Sequence, residues 1–471
     1  MAKAPGRGRL GGLLDRRHGR RLRPPEVKPY FWGSGDVACT CTAGRDESRL
    51  PILPERFFFC HTVGWPNVDR RDRMKELTSE AFTRDLYLTG TTETALSQPL
   101  TIGVEEEFLL LDPASGSVVP AAEAVRDQLE GPAASRVVFE MARFQLEANS
   151  AVHTDLTRLQ RDLLEIRTTA AAAAGRAGVR LAACGTALCG NADIPPLVNG
   201  RRYRAMYDEF RAVMRGQGVC GCHVHIGIPD REEAIQVSNH VRPWLPVLQA
   251  ITANSPISDG GDTGYASWRA ILMSRWPTAE PPPYFDSAEH YDRLVAGLLT
   301  SGAAMDHGMI YWLVRLSYHL PTLEFRTADV CATVEETAMF AGLVRALAAT
   351  ALRDVRAGVP APQIDHTLLR AACWLSARDG LEGEAMDLFT NRRVPAWHLV
   401  RRLVDHVRPS LEESGDWAIV APALRRLRRR GSGTARQRAA YWQRLHVPDV
   451  AAMLVEQTVA VPGVLGTGEV A

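Results

Sequence analysis

Four short stretches of the sequence carry polar or charged residues two positions apart among apolar neighbours. These stretches are GVEEEFLLLD, FEMARFQLEANSAV, CGCHVHIGI and TLEFRTADV. Successive side chains of a β-strand point to opposite faces, so two residues at i and i+2 share a face. We expect the pairs to meet over one face of a single sheet. The pairs are Glu105 with Glu107, Gln145 with Glu147, His223 with His225, and Glu324 with Arg326.

These residue types indicate a site for a divalent cation and a phosphate. Two carboxylates held side by side repel each other unless a cation lies between them, and a carboxylate-rich set favours Mg²⁺ or Mn²⁺ over zinc. An arginine beside a glutamate offers a planar fork that fits two phosphate oxygens. A solvent-facing strand with scattered charge is the alternative for any one pair, but it explains four pairs poorly.

Lysine is absent beyond residue 75, which limits the phosphate chemistry. The lysines are Lys3, Lys28 and Lys75, so no later residue can act as a P-loop lysine or form a Schiff base. We therefore expect an ATP and metal site in which the cation and arginines neutralise the transferred phosphoryl group.

The stretch CGCHVHIGI also has the composition of a zinc site. In a strand, however, Cys220 and Cys222 would face away from His223 and His225, and free cysteine is ordinarily a buried apolar residue. Zinc is therefore the less favoured alternative.

A polar, glycine-rich run, ANSPISDGGDTGYASWRAILMSRWP, carries two further arginines. Glycines allow the backbone to approach a ligand closely, and Arg269 and Arg275 are candidates for binding a substrate carboxylate. A surface loop followed by an arginine-rich helix explains the run equally well.

The elements that must position these residues predict an α+β fold. Helical stretches separate the strand-like runs, and residues 330–460 are nearly all helical in pattern. We expect an antiparallel sheet covered by helices on one face, with a largely helical C-terminal part. The strand-like runs lie at 101–111, 137–149, 179–186, 219–228 and 322–330.

Composition limits the class of protein. A chain of 471 residues, 46% of them hydrophobic, suffices for a large catalytic domain. A net charge of +1 gives no general case for nucleic acid. Nine scattered cysteines fit reduced thiols, and no run is long and apolar enough for a membrane span or signal peptide, so we expect a cytoplasmic protein.

The N-terminal part differs from the rest, because the first 28 residues carry nine Lys or Arg. We expect a basic, disordered extension at 1–98 and a catalytic domain at 99–460. A tail that binds RNA or a partner is the alternative. For the second basic run, 423–445, we expect a solvated helix end and loop rather than a nucleic-acid site.

Five ordered blocks resemble the YbdK-type carboxylate-amine ligases, also called the glutamate–cysteine ligase type 2 family. More distantly they resemble glutamine synthetase, and the resemblance covers roughly residues 100–460. It implies a glutamine synthetase-like catalytic face that uses ATP and Mg²⁺ or Mn²⁺. The blocks are GVEEEFLLLD, EMARFQLE, GCHVHIGI, ANSPISDGGDTGYASWR and LEFRTADV.

The resemblance also implies roles for individual residues. His225 and Arg326 would contact ATP phosphates, and Arg269 would hold the acceptor carboxylate or the phosphoryl group. Glu140 is a weaker ligand candidate, because its strand parity is opposite to that of Glu147 and a bulge or turn must intervene. The metal ligands implied are Glu105, Glu107, Glu147, His223 and Glu324.

The reaction implied by the resemblance joins two small molecules. ATP would activate a carboxylate, expected to be the γ-carboxylate of glutamate, to an acyl phosphate, and an amine such as that of cysteine would attack it. A guanidino-type phosphotransferase, a metal-dependent hydrolase and a non-catalytic RNA-binding protein are the alternatives, and self-association is left open. The sequence has Glu280 where relatives usually have glycine, which bears on the shape of the substrate loop.

Overall fold

An antiparallel sheet of seven strands is the centre of the computed structural model, which describes residues 98–191, 193–198 and 200–463. The expected N-terminal extension therefore lies outside the described residues, apart from residue 98. The strands are β1 (Ile102–Leu111), β2 (Val137–Phe139), β3 (Gln145–Asn149), β4 (Arg180–Ala182), β5 (Gly221–Gly227), β8 (Val314–Leu316) and β9 (Thr322–Asp329). The strand order is β2-β3-β1-β5-β9-β8, and β4 pairs with β1.

Two of the predicted strand runs are shorter than expected. The run at 137–149 is two strands, β2 and β3, because the chain turns between Glu140 and Phe144 before it pairs again. The run at 179–186 is a strand only over β4. The sequence pattern also missed β8, which is only three residues long and too short to show a period.

Helices pack against the sheet, and the C-terminal part is helical as predicted except for a hairpin of β10 (Glu384–Asp387) and β11 (Arg392–Pro395). A second small hairpin joins β6 (Ile257–Ser258) and β7 (Gly261–Asp262). Among the described residues, no helix combines the length and apolar composition that a membrane crossing requires. The helices are α1 (Ala122–Arg126), α2 (Leu156–Arg176), α3 (Arg201–Phe210), α4 (Arg231–Val241), α5 (Leu245–Thr252), α6 (Trp268–Met273), α7 (Ala288–Thr300), α8 (Val334–Arg356), α9 (His366–Asp379), α10 (Ala396–Glu413), α11 (Trp417–Arg430), α12 (Gly433–Arg444) and α13 (Val447–Thr458).

The main core lies between the sheet and helix α8, which is buried along most of its length. Helix α8 begins with a capping box, in which Thr333 and Glu336 satisfy each other's backbone N–H groups. It packs against β1, β5 and helices α2, α4, α10 and α11. One face of β1 enters this core through Ile102 and Val104, and Glu106 points to the same side, whereas Glu105 and Glu107 face the other side.

Candidate active site

The register of four adjacent strands aligns the polar pairs on one face of the sheet. Between β1 and β3, Glu107 lies opposite Glu147. Between β1 and β5, Glu105 lies opposite His223, and between β5 and β9, His225 lies opposite Glu324. The side chains that the sequence pattern grouped by i and i+2 spacing are therefore neighbours across strands as well.

The two histidines of β5 both approach Glu105. His223 Nδ1 lies 3.2 Å from Glu105 Oε2, and His225 Nε2 lies 3.1 Å from Glu105 Oε1, although without hydrogen-bond geometry. Burial raises the pKa of Glu105, but the two histidine rings beside the carboxylate outweigh burial and hold that pKa well below its usual range. Glu105 is therefore an ionised acceptor at neutral pH.

Glu324 lies between two arginines. Arg326 donates from Nη1 to Glu324, and Arg315 on β8 donates from Nε to Glu324 Oε2 at 2.8 Å. Burial raises the pKa of Glu324, but the two guanidinium groups outweigh burial and hold it well below its usual range. The sequence analysis missed Arg315, because no motif signals it and only the pairing of β8 with β9 brings it to Glu324.

Glu140 reaches the site because a turn separates it from β3, as its strand parity, opposite to that of Glu147, required. It lies just beyond β2, at the start of the turn to β3, so the strand alternation does not fix its direction. Burial and the charges of Glu107 and Glu147 raise the pKa of Glu140 to about 8. Burial and the charge of Glu105 raise the pKa of Glu147 to about 7. Without a bound cation, the surroundings therefore disfavour the ionised forms of these two carboxyl groups.

The donor atoms fit hard divalent cations. In each of two groups of three residues, one ligand atom per residue lies within 4.8 Å of the others. His223 Nε2 is buried without a hydrogen-bond partner among the described residues, 4.0 Å from Glu107 Oε1. Carboxylate oxygens that repel one another beside a vacant imidazole nitrogen suit Mg²⁺ or Mn²⁺. The groups are Glu105, His223 and Glu324, and Glu107, Glu140 and Glu147.

The remaining polar residues and cysteines of these sequence runs contact other parts of the protein. Gln145 is buried and donates from Nε2 to the Val219 carbonyl oxygen at 2.7 Å. Cys220 and Cys222 are buried in the apolar core, and neither candidate metal group among the described residues contains a cysteine. The arginines of the basic run 423–445 include Arg426, Arg436 and Arg438, and each of these pairs with a carboxylate.

Arg269 reaches the edge of the same face from helix α6. Its Nη1 lies 3.9 Å from Asp329 Oδ1 at the end of β9. Asp329 is buried and accepts hydrogen bonds from the Ser255 hydroxyl at 2.6 Å, the Ser267 hydroxyl at 2.8 Å and the Asn254 backbone N–H at 2.9 Å. Asp329 thus ties β9 to the N-cap of α6, and it was missed because it lies 60 or more residues from these partners.

Gly221 at the start of β5 makes room for Arg269. A Cβ at this position would lie 2.4 Å from Arg269 Nη2 and 3.1 Å from His223 Nε2. The backbone N–H of Gly221 donates to Glu107 Oε2 at 2.6 Å, so the strand itself also helps to fix a carboxylate. Glycine is therefore required here by the close approach of a charged side chain.

We expect Gly221→Ala to lower turnover about ten- to hundredfold, because the new methyl group displaces the Arg269 guanidinium. The guanidinium is the end of a flexible side chain, so the free energy of unfolding should change by less than about 1 kcal/mol. The matched control is Gly103→Ala on β1, where a Cβ meets nothing within 4 Å and turnover should be retained. Steady-state kinetics and urea unfolding measure both effects, and undiminished turnover in Gly221→Ala would show that Arg269 needs no fixed position.

A cavity of about 560 Å³ opens beside the polar face. Helices α6 and α9 and the segment around Trp276 form its walls, and Arg269 and Arg326 also line it. Arg275 also lines it and donates to the Arg215 carbonyl oxygen at 2.9 Å. Glu280, the residue that departs from the expected glycine, also lines it.

Comparison with known proteins finds one family for the sequence. The family model described as glutamate-cysteine ligase family 2 matches residues 101–456. The sequence is 49% identical over 369 residues to a Saccharopolyspora erythraea protein provisionally named glutamate–cysteine ligase 2-1, covering 77% of this chain and 97% of that protein. It is 51% identical over 339 residues to a Salinispora arenicola protein provisionally named glutamate–cysteine ligase 2, covering 72% and 89%.

Solved structures share the fold at low sequence identity. A bifunctional glutathione synthetase from Pasteurella multocida aligns with a TM-score of 0.58 at 16% identity, over 77% of this chain and 52% of that chain. The chain thus spans about half the length of the Pasteurella multocida protein. A glutamate–cysteine ligase from Francisella tularensis, in complex with AMP, aligns with a TM-score of 0.56 at 11% identity, over 78% and 90%. These likenesses establish the architecture of the sheet and its helices.

Proposed function

Because the chain belongs to glutamate-cysteine ligase family 2, we propose that it is an ATP- and Mg²⁺-dependent carboxylate–amine ligase. The reaction we propose forms an amide through an acyl phosphate. One observation carries the proposal: two groups of metal-type ligands and the nearly buried Arg326 meet on one face of the sheet, beside a cavity large enough for an organic substrate. Mn²⁺ would suit the same ligands.

In this proposal, six residues hold the divalent cations. When bound, the cations would neutralise the β- and γ-phosphates of ATP and stabilise the charge that develops during transfer. The protein contributes fixed ligand positions, because Glu105 is held by the two histidines of β5 and Glu107 by a backbone N–H. The proposed ligands are Glu105, Glu107, Glu140, Glu147, His223 and Glu324.

Arg326 and His225 are the proposed phosphate contacts. The Arg326 guanidinium donates to Glu324 and also lies 3.5 Å from His223 Nδ1. This positively charged group is therefore already in place when a phosphate arrives. The hydroxyl of Thr322 lies 3.0 Å from His225 Nδ1 and orients that ring, which leaves Nε2 facing the polar side. Groups held in this way require little reorganisation as the phosphoryl group moves.

The chemistry that these residues would support has two steps. A carboxylate oxygen of the acid attacks the γ-phosphorus, and ADP leaves with the bridging oxygen. The amine nitrogen then attacks the acyl carbon, inorganic phosphate leaves, and the nitrogen loses a proton. Arg269, which lines the cavity, is placed to hold the carboxylate or the transferred group. No covalent enzyme intermediate is needed.

Removal of the metal tests the proposal. ADP release with ATP, L-glutamate and L-cysteine is expected to require Mg²⁺, to stop in excess EDTA and to return with Mg²⁺ or Mn²⁺. The names of the relatives motivate this first substrate pair. Mass analysis should find an amide of the acid and the amine. Turnover without ATP would favour a hydrolase, and a phosphorylated product without an amide would favour a phosphotransferase.

A further inference from the structure

Glu280 and Arg370 form a charged pair on the wall of the large cavity. Glu280 is the only acidic residue among the described residues that line this cavity, and Arg370 on α9 lines it too. Arg370 Nε lies 3.4 Å from Glu280 Oε2, and His366 Nε2 lies 3.4 Å from the same oxygen. Both distances exceed the roughly 2.7–2.9 Å of a fully formed charge-assisted hydrogen bond, so the pair can admit a further charged group.

A carboxylate next to a guanidinium matches the α-carbon end of an amino acid. An α-ammonium group that leaves water needs an anionic partner, and the neighbouring α-carboxylate needs a cationic one. Among the described residues, Arg370 meets no carboxylate other than Glu280, so its remaining N–H groups can donate to a ligand. The pair therefore presents opposite charges side by side, as an amino acid does.

Two backbone hydrogen bonds set the distance from this pair to the polar face. The Leu313 N–H donates to the Glu280 carbonyl oxygen at 3.0 Å, and the Arg326 N–H donates to the Leu313 carbonyl oxygen at 2.8 Å. Segments joined in this way lie about 5 Å apart, so the backbones of Glu280 and Arg326 are on the order of 10 Å apart. Glutamate has three carbon–carbon bonds of about 1.5 Å each between its α-carbon and its γ-carboxyl carbon, and protein side chains on both segments shorten the remaining gap.

Arg269 supplies a partner for the other end of such a ligand. It is 5% exposed, and it lines both the large cavity and a smaller cavity that contains Glu107, Glu140 and His223. Its Nε is buried without a hydrogen-bond partner among the described residues. A buried donor without an acceptor costs free energy, which a ligand carboxylate would recover. Arg326 also lines both cavities, so a phosphoryl group at Arg326 would lie close to a carboxylate at Arg269.

The chemistry of the proposed reaction decides which substrate binds Glu280. The amine substrate must lose a proton and reach the acyl carbon, so its nitrogen lies at the polar face rather than at Glu280. The ammonium group of the acid takes no part in the reaction and stays charged. Glu107 and Glu140 are proposed ligands of the cations, so an ammonium group there would compete with the metal. Glu280 is therefore the carboxylate left for the ammonium group of the acid.

We propose that Glu280 and Arg370 bind the α-ammonium and α-carboxylate groups of the acid substrate, glutamate, while Arg269 holds its γ-carboxylate. The inference rests on the proposed ligase function and adds residues that determine its specificity. Glu280 departs from the glycine expected at this position, so this recognition of the ammonium group is a property of this chain.

Hydroxylamine as the acceptor separates recognition of the acid from recognition of the amine. It converts an acyl phosphate into a hydroxamate with release of inorganic phosphate, and it is small enough to need no amine site. Glutarate has both carboxylates of L-glutamate but no ammonium group, whereas 4-aminobutyrate has the ammonium group but no α-carboxylate. We expect kcat/KM for hydroxamate formation to be about tenfold or more higher for L-glutamate than for either analogue.

Glu280→Gln and Arg370→Met should give different patterns across these acids. Glu280→Gln is expected to lower kcat/KM about tenfold or more for L-glutamate and 4-aminobutyrate, mainly through KM, and to leave glutarate within about twofold. Arg370→Met is expected to lower kcat/KM similarly for L-glutamate and glutarate and to leave 4-aminobutyrate within about twofold. The control is Glu289→Gln, at an exposed position of α7 where the side chain pairs with Arg293, and it should change none of these values.

Titration calorimetry with L-glutamate and glutarate, in the presence of Mg²⁺ and a non-hydrolysable ATP analogue, provides a readout that needs no turnover. Weaker binding of L-glutamate to Glu280→Gln, with glutarate unaffected, supports the inference. Unchanged values for L-glutamate in Glu280→Gln would show that another group, such as Glu107 or Glu140, holds the ammonium group, and this result overturns the inference.

The amine substrate provides the remaining test. With L-cysteine as the acceptor, Glu280→Gln should raise KM for L-glutamate and leave KM for L-cysteine within about twofold. A rise in KM for L-cysteine alone would assign the pair to the amine and overturn the inference, while the ligase function stands. No hydroxamate from any acid contradicts the ligase function, and in that case absence of L-glutamate binding overturns the assignment of Glu280 and Arg370 as well.

Discussion

Arg326→Ala is expected to lower kcat about a thousandfold while the protein remains folded. The guanidinium is nearly buried and lies against both His223 and Glu324. Burial lowers the pKa of Arg326, but the charges of Glu324, Glu107 and Glu105 outweigh burial and hold it above its usual value. It therefore carries a permanent positive charge where a phosphoryl group would carry negative charge, and alanine cannot replace that charge.

Glu324 should keep its position in this variant, because Arg315 still donates to both of its oxygens. The loss would then appear in kcat of folded protein, measured as ADP release under saturating ATP and Mg²⁺. A suitable control is Arg408→Ala, which removes a surface arginine paired with Glu412 far along the chain in α10. If Arg326→Ala keeps kcat within about tenfold of the native value, Arg326 takes no part in phosphoryl transfer.

The i and i+2 spacing of polar residues in the sequence alone identified most residues of the candidate site. The alternation of side chains is a strict geometric rule, so residues at i and i+2 share a face wherever the strand forms. The structure brings Glu105, Glu107, Glu147, His223 and Glu324 together in this way, and their role as metal ligands stays a prediction.

Residues outside regular strands could not be placed in the same way. Glu140 lies in a turn, Arg315 meets Glu324 only because β8 pairs with β9, and Asp329 meets Arg269 across 60 residues of sequence. Such contacts depend on tertiary packing, which periodicity does not encode. The wall that helix α9 adds to the cavity is unpredictable for the same reason.

Glu106, the middle glutamate of the same motif, contacts the helices of the fold rather than the candidate site. It points away from Glu105 and Glu107 into the helix layer, where it is 1% exposed. Arg167 on α2 donates to it from Nε at 2.9 Å and from Nη2 at 2.5 Å. The hydroxyl of Thr337 on α8 donates to Glu106 Oε1 at 2.7 Å, so one carboxylate joins β1 to two helices.

Arg167→Met is expected to lower the free energy of unfolding by about 3–5 kcal/mol, because it leaves the buried Glu106 carboxylate without its cation. The guanidinium also donates to the carbonyl oxygens of Cys331 and Thr458, at 2.9 Å and 3.1 Å, and these would lose a donor too. Urea unfolding followed by circular dichroism measures the loss. The candidate catalytic face lies on the other side of β1, so kcat of the folded fraction should be unchanged.

Adding Glu106→Leu to Arg167→Met separates the effect of the unpaired buried charge from the effect of the lost carbonyl contacts. In the double variant Glu106→Leu, Arg167→Met no charge is left unpaired, so much of the lost stability should return. Recovery should be incomplete, because the carbonyl oxygens of Cys331 and Thr458 still lack the donor that Arg167 supplied. A loss below about 1 kcal/mol in Arg167→Met, or a double variant less stable than both single variants, would show that this ion pair does not stabilise the junction of sheet and helices.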